Sequence, residues 1–264
     1  MTVHGTVVVT GAAGGIGSAT CRLLAARGVP VAAVDLPDGD GVSLAEPMAR
    51  AVRERGGTAV AVSADLRDPT ALDAATAAVV ERLGPVGGVF ANAGVLRAGG
   101  AASPSDEGWQ ESFDVNVTGA WNVVRAALPH FRPDGGGIVL TSSIAGAKGM
   151  SGFAGYVASK HAVVGLMRAL AHELGPRSIR VNTVHPTAVD TPMVNNEDHA
   201  QRWTGLRGPE GLAALRDVYR ARHLLPVPWL DPSDVAHAVA WLLSAEARYV
   251  TGVTLPVDAG ALAR

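Results

Sequence analysis

Thr6-Val7-Val8-Val9-Thr10-Gly11-Ala12-Ala13-Gly14-Gly15-Ile16-Gly17 is the stretch that decides how this chain folds. Its first five residues are all β-branched, the mark of a strand buried on both faces, as in a parallel sheet. The glycines that follow let the backbone turn sharply, and Ser18 to Arg27 reads as a helix. A strand, a glycine turn and a helix N-terminus in direct succession can hold a pyrophosphate. Unpaired N–H groups and the positive end of the helix dipole face the anion. The spacing is T-G-x-x-x-G-x-G rather than G-x-G-x-x-G. The glycines alone therefore indicate only a tight turn; their place after the first strand makes them a nucleotide loop.

Downstream, strand-like and helical stretches alternate. Val31 to Val34 is a strand ending in Asp35, Ser43 to Arg55 a helix stopped by Gly56-Gly57, and Thr58 to Ser63 a strand. Pro69 opens a helix through Leu72 to Leu83, and Val86 to Ala91 is the fourth strand. One long helix is predicted over Asp106 to His130, followed by strand Ile138 to Thr141 and helix Tyr156 to Leu174. Strand Ile179 to Val184, helix Pro232 to Leu243 and strand Val253 to Val257 complete the series. Short connectors between alternating elements imply an α/β fold with right-handed crossovers and a parallel sheet covered on both faces. No linker divides the chain, so residues 1–264 read as a single domain. Met193 to Trp229 is long, mixed in charge and rich in Trp, Arg and Pro. It is read as a lid at about residues 193–229.

Nearly half of the 264 residues are apolar, which excludes a disordered chain. The net charge of −2 and the absence of any Lys/Arg block argue against nucleic acid or an anionic membrane as partner. A single cysteine, Cys21, rules out an internal disulfide and sits in an apolar helical pattern. No apolar run reaches the ~18 residues of a membrane span, and the N-terminus lacks signal-peptide features. The expectation is a soluble, cytoplasmic protein. The eight histidines show no metal-binding spacing, so no metal is expected.

Two acidic residues and one helical pair carry the chemistry. A carboxylate at Asp35 can hydrogen-bond both adenosine ribose hydroxyls and repel a 2′-phosphate, which favours NAD over NADP. Asp65, after the third strand, faces the adenine amine or serves a turn. Tyr156 and Lys160 are four residues apart and share one helix face, a spacing that ordinary helices also show. An ammonium beside a phenol is expected to lower the tyrosine pKa and fit it for proton exchange with an alcohol or carbonyl.

Taken together, these pieces resemble the short-chain dehydrogenase/reductases over essentially the full length. They occur in order as Thr10–Gly17, Asp35, Ala64-Asp65, Asn92-Ala93-Gly94, Asn116 within DVNVTG, Ser142-Ser143, Tyr156-x-x-x-Lys160 and Val257-Asp258-Ala259-Gly260. The resemblance implies a Rossmann-type three-layer sandwich with one seven-stranded parallel sheet. It also implies a catalytic tetrad of Asn116, Ser143, Tyr156 and Lys160. Ser143 is preferred to Ser142 because it lies thirteen residues before Tyr156, the family's usual interval. Cofactor contacts are implied for Gly11, Gly15, Ile16, Gly17, Asp35, Asp65, Leu66, Asn92, Ala93, Gly94, Tyr156, Lys160, Pro186, Val189 and Thr191. In those roles Ser143 holds the substrate oxygen, Tyr156 exchanges the proton and Lys160 binds the nicotinamide ribose. Asn116 positions a water linking Lys160 to solvent, or simply kinks its helix. The family is commonly homotetrameric.

His185 to Met193, Leu225 to Trp229 and Ala247 to Val257 further resemble the carveol-dehydrogenase-like, mycofactocin-coupled subgroup. One stretch departs from that pattern: Leu36 to Ser43 is shorter than the subgroup's insertion, which argues against tightly held NAD. The subgroup implies oxidation of a lipophilic, cyclic, terpenoid-like secondary alcohol. Leu96, Ile144, Met150, Phe153, Met193, Trp203 and Leu206 are the candidate pocket wall, or else core and interface. Arg97 and Lys148 can bind an anionic group or stand solvated, and His185 is the one histidine placed near the nicotinamide. The alternatives are a ketone or 3-oxoacyl reductase and a non-catalytic NAD-binding protein. A serine hydrolase is disfavoured because no G-x-S-x-G elbow is present.

Overall fold

The structure is a computed structural model that describes residues 2–264. The chain runs β1 (Thr6–Thr10), α1 (Gly15–Ala26), β2 (Val31–Asp35), α2 (Glu46–Glu54), β3 (Ala59–Ser63), α3 (Pro69–Leu83) and β4 (Val86–Ala91). It continues through α4 (Asp106–Phe113), α5 (Ala120–Ala127), β5 (Gly136–Thr141), α6 (Ala154–Leu174) and β6 (Ile179–Pro186). The last elements are α7 (Glu197–Thr204), α8 (Gly208–Arg220), α9 (Pro232–Leu243) and β7 (Thr254–Val257). All strands join one parallel sheet of seven, in the order β3-β2-β1-β4-β5-β6-β7.

Strand alternation divides the core between two helical layers. Val7 and Val9 point to one face, where they meet Leu24 of α1 and Leu242 of α9; Val8 points to the other. On that second face Ile138 and Leu140 of β5 pack with Met167 and Leu170 of α6. All of these except Val8 are at most 1% exposed, and Val8 is 4% exposed. Each therefore contributes roughly 1.5–3 kcal/mol of burial. Cys21 lies in the first of these cores, and burial pushes its thiol far above its ordinary value, so it is inert.

Side-chain caps fix several helix starts. Asp68 accepts from the Thr70 and Ala71 N–H groups ahead of α3, and Asp231 forms a reciprocal capping box with Asp234 on α9. Several boundaries differ from the sequence reading by one or two residues, and three stretches differ by more. α1 begins at Gly15 rather than Ser18, because the loop glycines already wind into its first turn. α2 begins only at Glu46, because Ser43 bridges back to Pro37 and Leu44 N–H donates to Leu36 O. The predicted 106–130 helix is not uniformly α-helical: Asp114–Gly119 is a π-helical segment between α4 and α5. The stretch over 193–229 contains α7 and α8, capped by Asn196 and separated by left-handed Gly205 at φ 77°.

No helix among the described residues is long and apolar enough to cross a membrane. Phe90, fully buried on the central strand β4, is a probe of this core. Phe90→Ala is expected to cost about 3–5 kcal/mol, read as a lower denaturant midpoint at unchanged m-value.

Candidate active site

The strand order reverses between β1 and β4, so their connections leave on opposite sides and open a crevice at the strand C-termini. Hydrogen bonds clamp those ends together. Thr10 Oγ1 accepts from the backbone N–H groups of Asn92 (3.0 Å) and Ala93 (3.1 Å). Asn92 Nδ2 donates to Thr10 O at 3.2 Å, and its Oδ1 accepts from Thr141 Oγ1 at 3.2 Å. A cavity of about 1110 Å³ lies over the clamp.

One end of the cavity is walled by Gly11, Gly15, Ile16, Asp35, Asp65 and Leu66, and Asn92, Ala93 and Gly94 also line it. Gly14 caps α1 without any side-chain acceptor, so the first-turn N–H groups remain available to an anion. Gly17 is not on the wall. A Cβ there would lie 2.1 Å from Gly11 O, so it permits the tight turn instead of touching a ligand. The Asp35 carboxylate accepts from Ala13 N–H (2.8 Å) and Leu36 N–H (2.9 Å), which pins it to the loop. Asp65 takes the turn role that the sequence left open. It accepts from its neighbour's backbone, Arg67 N–H, and forms a two-pronged ion pair with the Arg67 guanidinium. That pairing holds the Asp65 carboxyl below its usual range. A bare helix N-terminus, a side-chain-free loop and a fixed carboxylate form a donor and acceptor set that fits a dinucleotide. Pro186, Val189 and Thr191 continue the wall beyond β6.

Tyr156 and Lys160 stand one turn apart on α6 and both line the cavity. Ser143 follows β5; its hydroxyl accepts from Ala145 N–H at 3.1 Å, and it lines the cavity with Tyr156. Lys160 is 4% exposed, donates to Thr141 O at 2.9 Å, and lies 5.6 Å from the Tyr156 ring centroid. The expected lowering of the tyrosine pKa does not hold in the protein alone. Burial pushes Tyr156 above its ordinary value, with the Ser143 hydroxyl opposing. Burial also brings Lys160 down to about 8, because the desolvated ammonium loses hydration that one carbonyl does not replace.

Asn116 lies in the π-helical segment, 2% exposed and beneath the cavity rather than on its wall. Its Oδ1 accepts from Val95 N–H (2.8 Å), and Nδ2 donates to Val95 O (3.1 Å) and Ser159 Oγ (3.0 Å). Its side chain is therefore committed to protein partners. A Cβ on Gly94 would come within 2.9 Å of Asn116 Oδ1 and 3.4 Å of Lys160 Nζ, so only glycine allows this approach. His185 is buried behind the wall, bonded through Nδ1 to Ser143 O (2.8 Å) and through Nε2 to Thr183 Oγ1 (2.9 Å). Burial holds it below its ordinary pKa, so it serves as a neutral brace under Ser143.

Leu96, Ile144, Met150, Met193 and Trp203 line the other end of the cavity. Phe153 does not. It is 3% exposed and stacks on Trp203 with ring centroids 6.1 Å apart, bracing that wall from behind. Leu206 also lies off the wall, 39% exposed after α7. Several wall residues escaped the sequence reading, among them His199, Tyr219, Arg222 and Arg264. His199 Nε2 accepts from Tyr219 Oη (2.6 Å) and Trp203 Nε1 (3.0 Å). Burial takes His199 down to about 4 and Tyr219 up to about 12, so both stay neutral. The Trp and Arg content of 193–229 was the only sequence signal for this cluster.

The family described as enoyl-(acyl carrier protein) reductase matches residues 11–261. The chain is 39% identical to (-)-trans-carveol dehydrogenase of Rhodococcus erythropolis, with 96% of this chain and 95% of the relative covered. It is 34% identical to a cyclohexanol dehydrogenase of an Acinetobacter species, with 95% and 92% covered. Among solved structures, carveol dehydrogenase from Mycobacterium avium in complex with NAD superposes with a TM-score of 0.93. That likeness covers 100% of this chain and 99% of the other at 39% identity.

The Lys160 shift fixes a pH signature. The folded pKa lies near 8, below the ordinary value of 10.5, so between those limits the unfolded chain binds more protons. Stability is therefore expected to rise with pH through this group, by up to about 1.4 kcal/mol per unit between pH 8 and 10. Lys160→Met should abolish that gain. The difference in unfolding free energy between wild type and variant, followed across this window, checks it.

Proposed function

The chain belongs to the short-chain dehydrogenase/reductase family, and from that premise we propose an NAD-dependent oxidoreductase that interconverts a cyclic secondary alcohol and its ketone. One observation carries the proposal: Ser143, Tyr156 and the buried Lys160 line one cavity together with the glycine loop and the bare N-terminus of α1. Gly11, Gly15 and Ile16 with the first turn of α1 would hold the pyrophosphate, and Asp35 the adenosine ribose. Lys160, Pro186, Val189 and Thr191 would hold the nicotinamide end. The bound nicotinamide supplies the hydride acceptor or donor.

The chain's own groups handle the proton. Ser143 holds the substrate oxygen, and Tyr156 takes the hydroxyl proton in oxidation or returns it in reduction. Lys160 supplies positive charge beside the developing phenolate. Asn116 acts as a positioning residue, since its amide ties Val95 to Ser159 and so fixes α6 against the loop after β4. NAD is favoured over NADP because Asp35 repels a 2′-phosphate, while the nearby cation Arg67 is already neutralised by Asp65.

Residues 193–229 form the lid of this reading, with α7 and α8 placing Trp203 and Tyr219 on the substrate wall. We place the enzyme in the cytoplasm as a homotetramer. Support for the assembly comes from Trp109 and Trp121, 48% and 40% exposed on α4 and α5, and from Tyr249 near the sheet-edge strand β7.

Purified protein with NAD and carveol or cyclohexanol is expected to generate reduced-nicotinamide absorbance. Tyr156→Phe should lower kcat by about 10²–10⁴-fold with the fold intact. No turnover of any cyclic alcohol or ketone, with Tyr156→Phe indistinguishable from wild type, overturns the enzyme reading. Asp35→Ala is expected to raise kcat/KM with NADP relative to NAD by about tenfold or more. An unchanged cofactor ratio refutes its role.

A further inference from the structure

The charges on the cavity wall do not balance. Three acidic residues line it, Asp35, Asp65 and Glu111. Asp35 is pinned by two backbone N–H groups, Asp65 is paired with Arg67, and Glu111 is paired with Arg97. Lys148, Arg222 and Arg264 line the same cavity, and among the described residues none of them has an acidic partner within ion-pair distance. The other two arginines on the cavity wall, Arg67 and Arg97, each hold a carboxylate.

Three separate segments deliver these cations, and each is anchored by groups that leave donors to spare. Lys148 follows the short 3-10 turn after Ser143 and spends one N–H on Ala261 O at 2.8 Å. Arg264 spends one N–H on His223 O at 2.8 Å, and the His223 ring is bonded to Thr187 Oγ1 and Val227 O. Arg222 lies over the Trp203 ring with its guanidinium carbon 4.1 Å from the centroid, so stacking fixes its plane and leaves its edges open. Trp203 in turn stacks on Phe153, three residues before Tyr156, which places Arg222 on the substrate side of the catalytic pair. Ile144, Met150 and Met193 give the same cavity apolar lining.

We infer that the substrate is an amphipathic cyclic alcohol whose ring lies on the apolar wall and whose anionic substituent is bound by Arg222, Lys148 and Arg264. The inference rests on the alcohol-dehydrogenase reading above and narrows it to a substrate class. A carboxylate fits the guanidinium edge of Arg222 bidentately. The phosphates of a carrier thioester bring the same charge on a longer arm.

The experiment compares paired probes. With NAD, trans-4-hydroxycyclohexanecarboxylate is expected to exceed cyclohexanol in kcat/KM by about tenfold or more, mostly through KM. Raising salt to about 1 M should shrink that ratio. Arg222→Gln, Lys148→Gln and Arg264→Gln should each lower the ratio, a readout that cancels any general loss of activity. Higher kcat/KM for the coenzyme A thioester of the same 4-hydroxycyclohexane acid than for the free acid also supports the anion site and assigns it to a carrier's phosphates. A ratio at or below one, or a ratio that none of the three variants moves, overturns the inference while leaving the dehydrogenase reading intact.

A binding arm needs no turnover. Cyclohexanecarboxylate should quench tryptophan fluorescence of the NAD-loaded protein at about tenfold lower concentration than its methyl ester, and Arg222→Gln should erase the difference. Absence of turnover with this preference retained would reject the dehydrogenase reading and keep the anion site. Equal binding of acid and ester rejects the site.

Discussion

The side chain of Asn92 joins the parts of this molecule that have to meet. Its amide nitrogen donates to Thr10 O at the start of the glycine loop, and its amide oxygen accepts from Thr141 at the end of β5. The carbonyl of that same Thr141 receives the Lys160 ammonium. A chain of hydrogen bonds therefore runs from the glycine loop, across the reversal of strand order, to Lys160. Parallel sheets place their strand ends side by side, yet nothing in the ladder bonds beyond those ends holds the loops in register. Asn92 supplies that bond, and Thr10 Oγ1 doubles it by accepting two backbone N–H groups.

The second constraint is the burial of Lys160. A lysine 4% exposed and held by one carbonyl is costly, and its pKa falls to about 8 as a result. Tyr156 beside it is pushed the other way. Both shifts reflect the same dry surroundings, which resist forming a phenolate and an ammonium separately. Once either charge forms, the same low dielectric strengthens its attraction to the other. A site arranged in this way holds a proton in readiness without releasing it to solvent.

Local signals made most of this legible. The β-branched run Thr6–Thr10, the loop glycines and Asp35 lie within thirty residues, and each is read from its neighbours. Tyr156 and Lys160 needed only the helical period. The π-helical segment at Asn116 was not legible, because a shift of hydrogen-bond register leaves no compositional trace; DVNVTG reads as an ordinary helix interior. Phe153 was assigned to the pocket on hydrophobicity alone, and its burial behind Trp203 is decided by residues fifty positions away. The sign of the Tyr156 shift is not legible for a related reason: a four-residue spacing gives proximity, whereas desolvation depends on the whole enclosure.

The same division of scale explains why the cofactor end reads so much more clearly than the substrate end. Pyrophosphate recognition uses backbone N–H groups and needs glycines at fixed positions, a requirement that stays local. The far wall of the cavity is built from side chains of the 3-10 turn after Ser143, of the 193–229 stretch and of the last residues of the chain, with no spacing that links them. Lys148 reaching Ala261 and Arg264 reaching His223 show that the C-terminal segment is part of that wall and not a trailing end. α7 and α8 pack against the loop after β6 through a small cluster of Ala188, Ala200, Leu215 and Tyr219, separate from the two sheet-face cores. Substitutions there would reshape the far wall of the cavity while leaving the sheet, and with it Tyr156 and Lys160, in place.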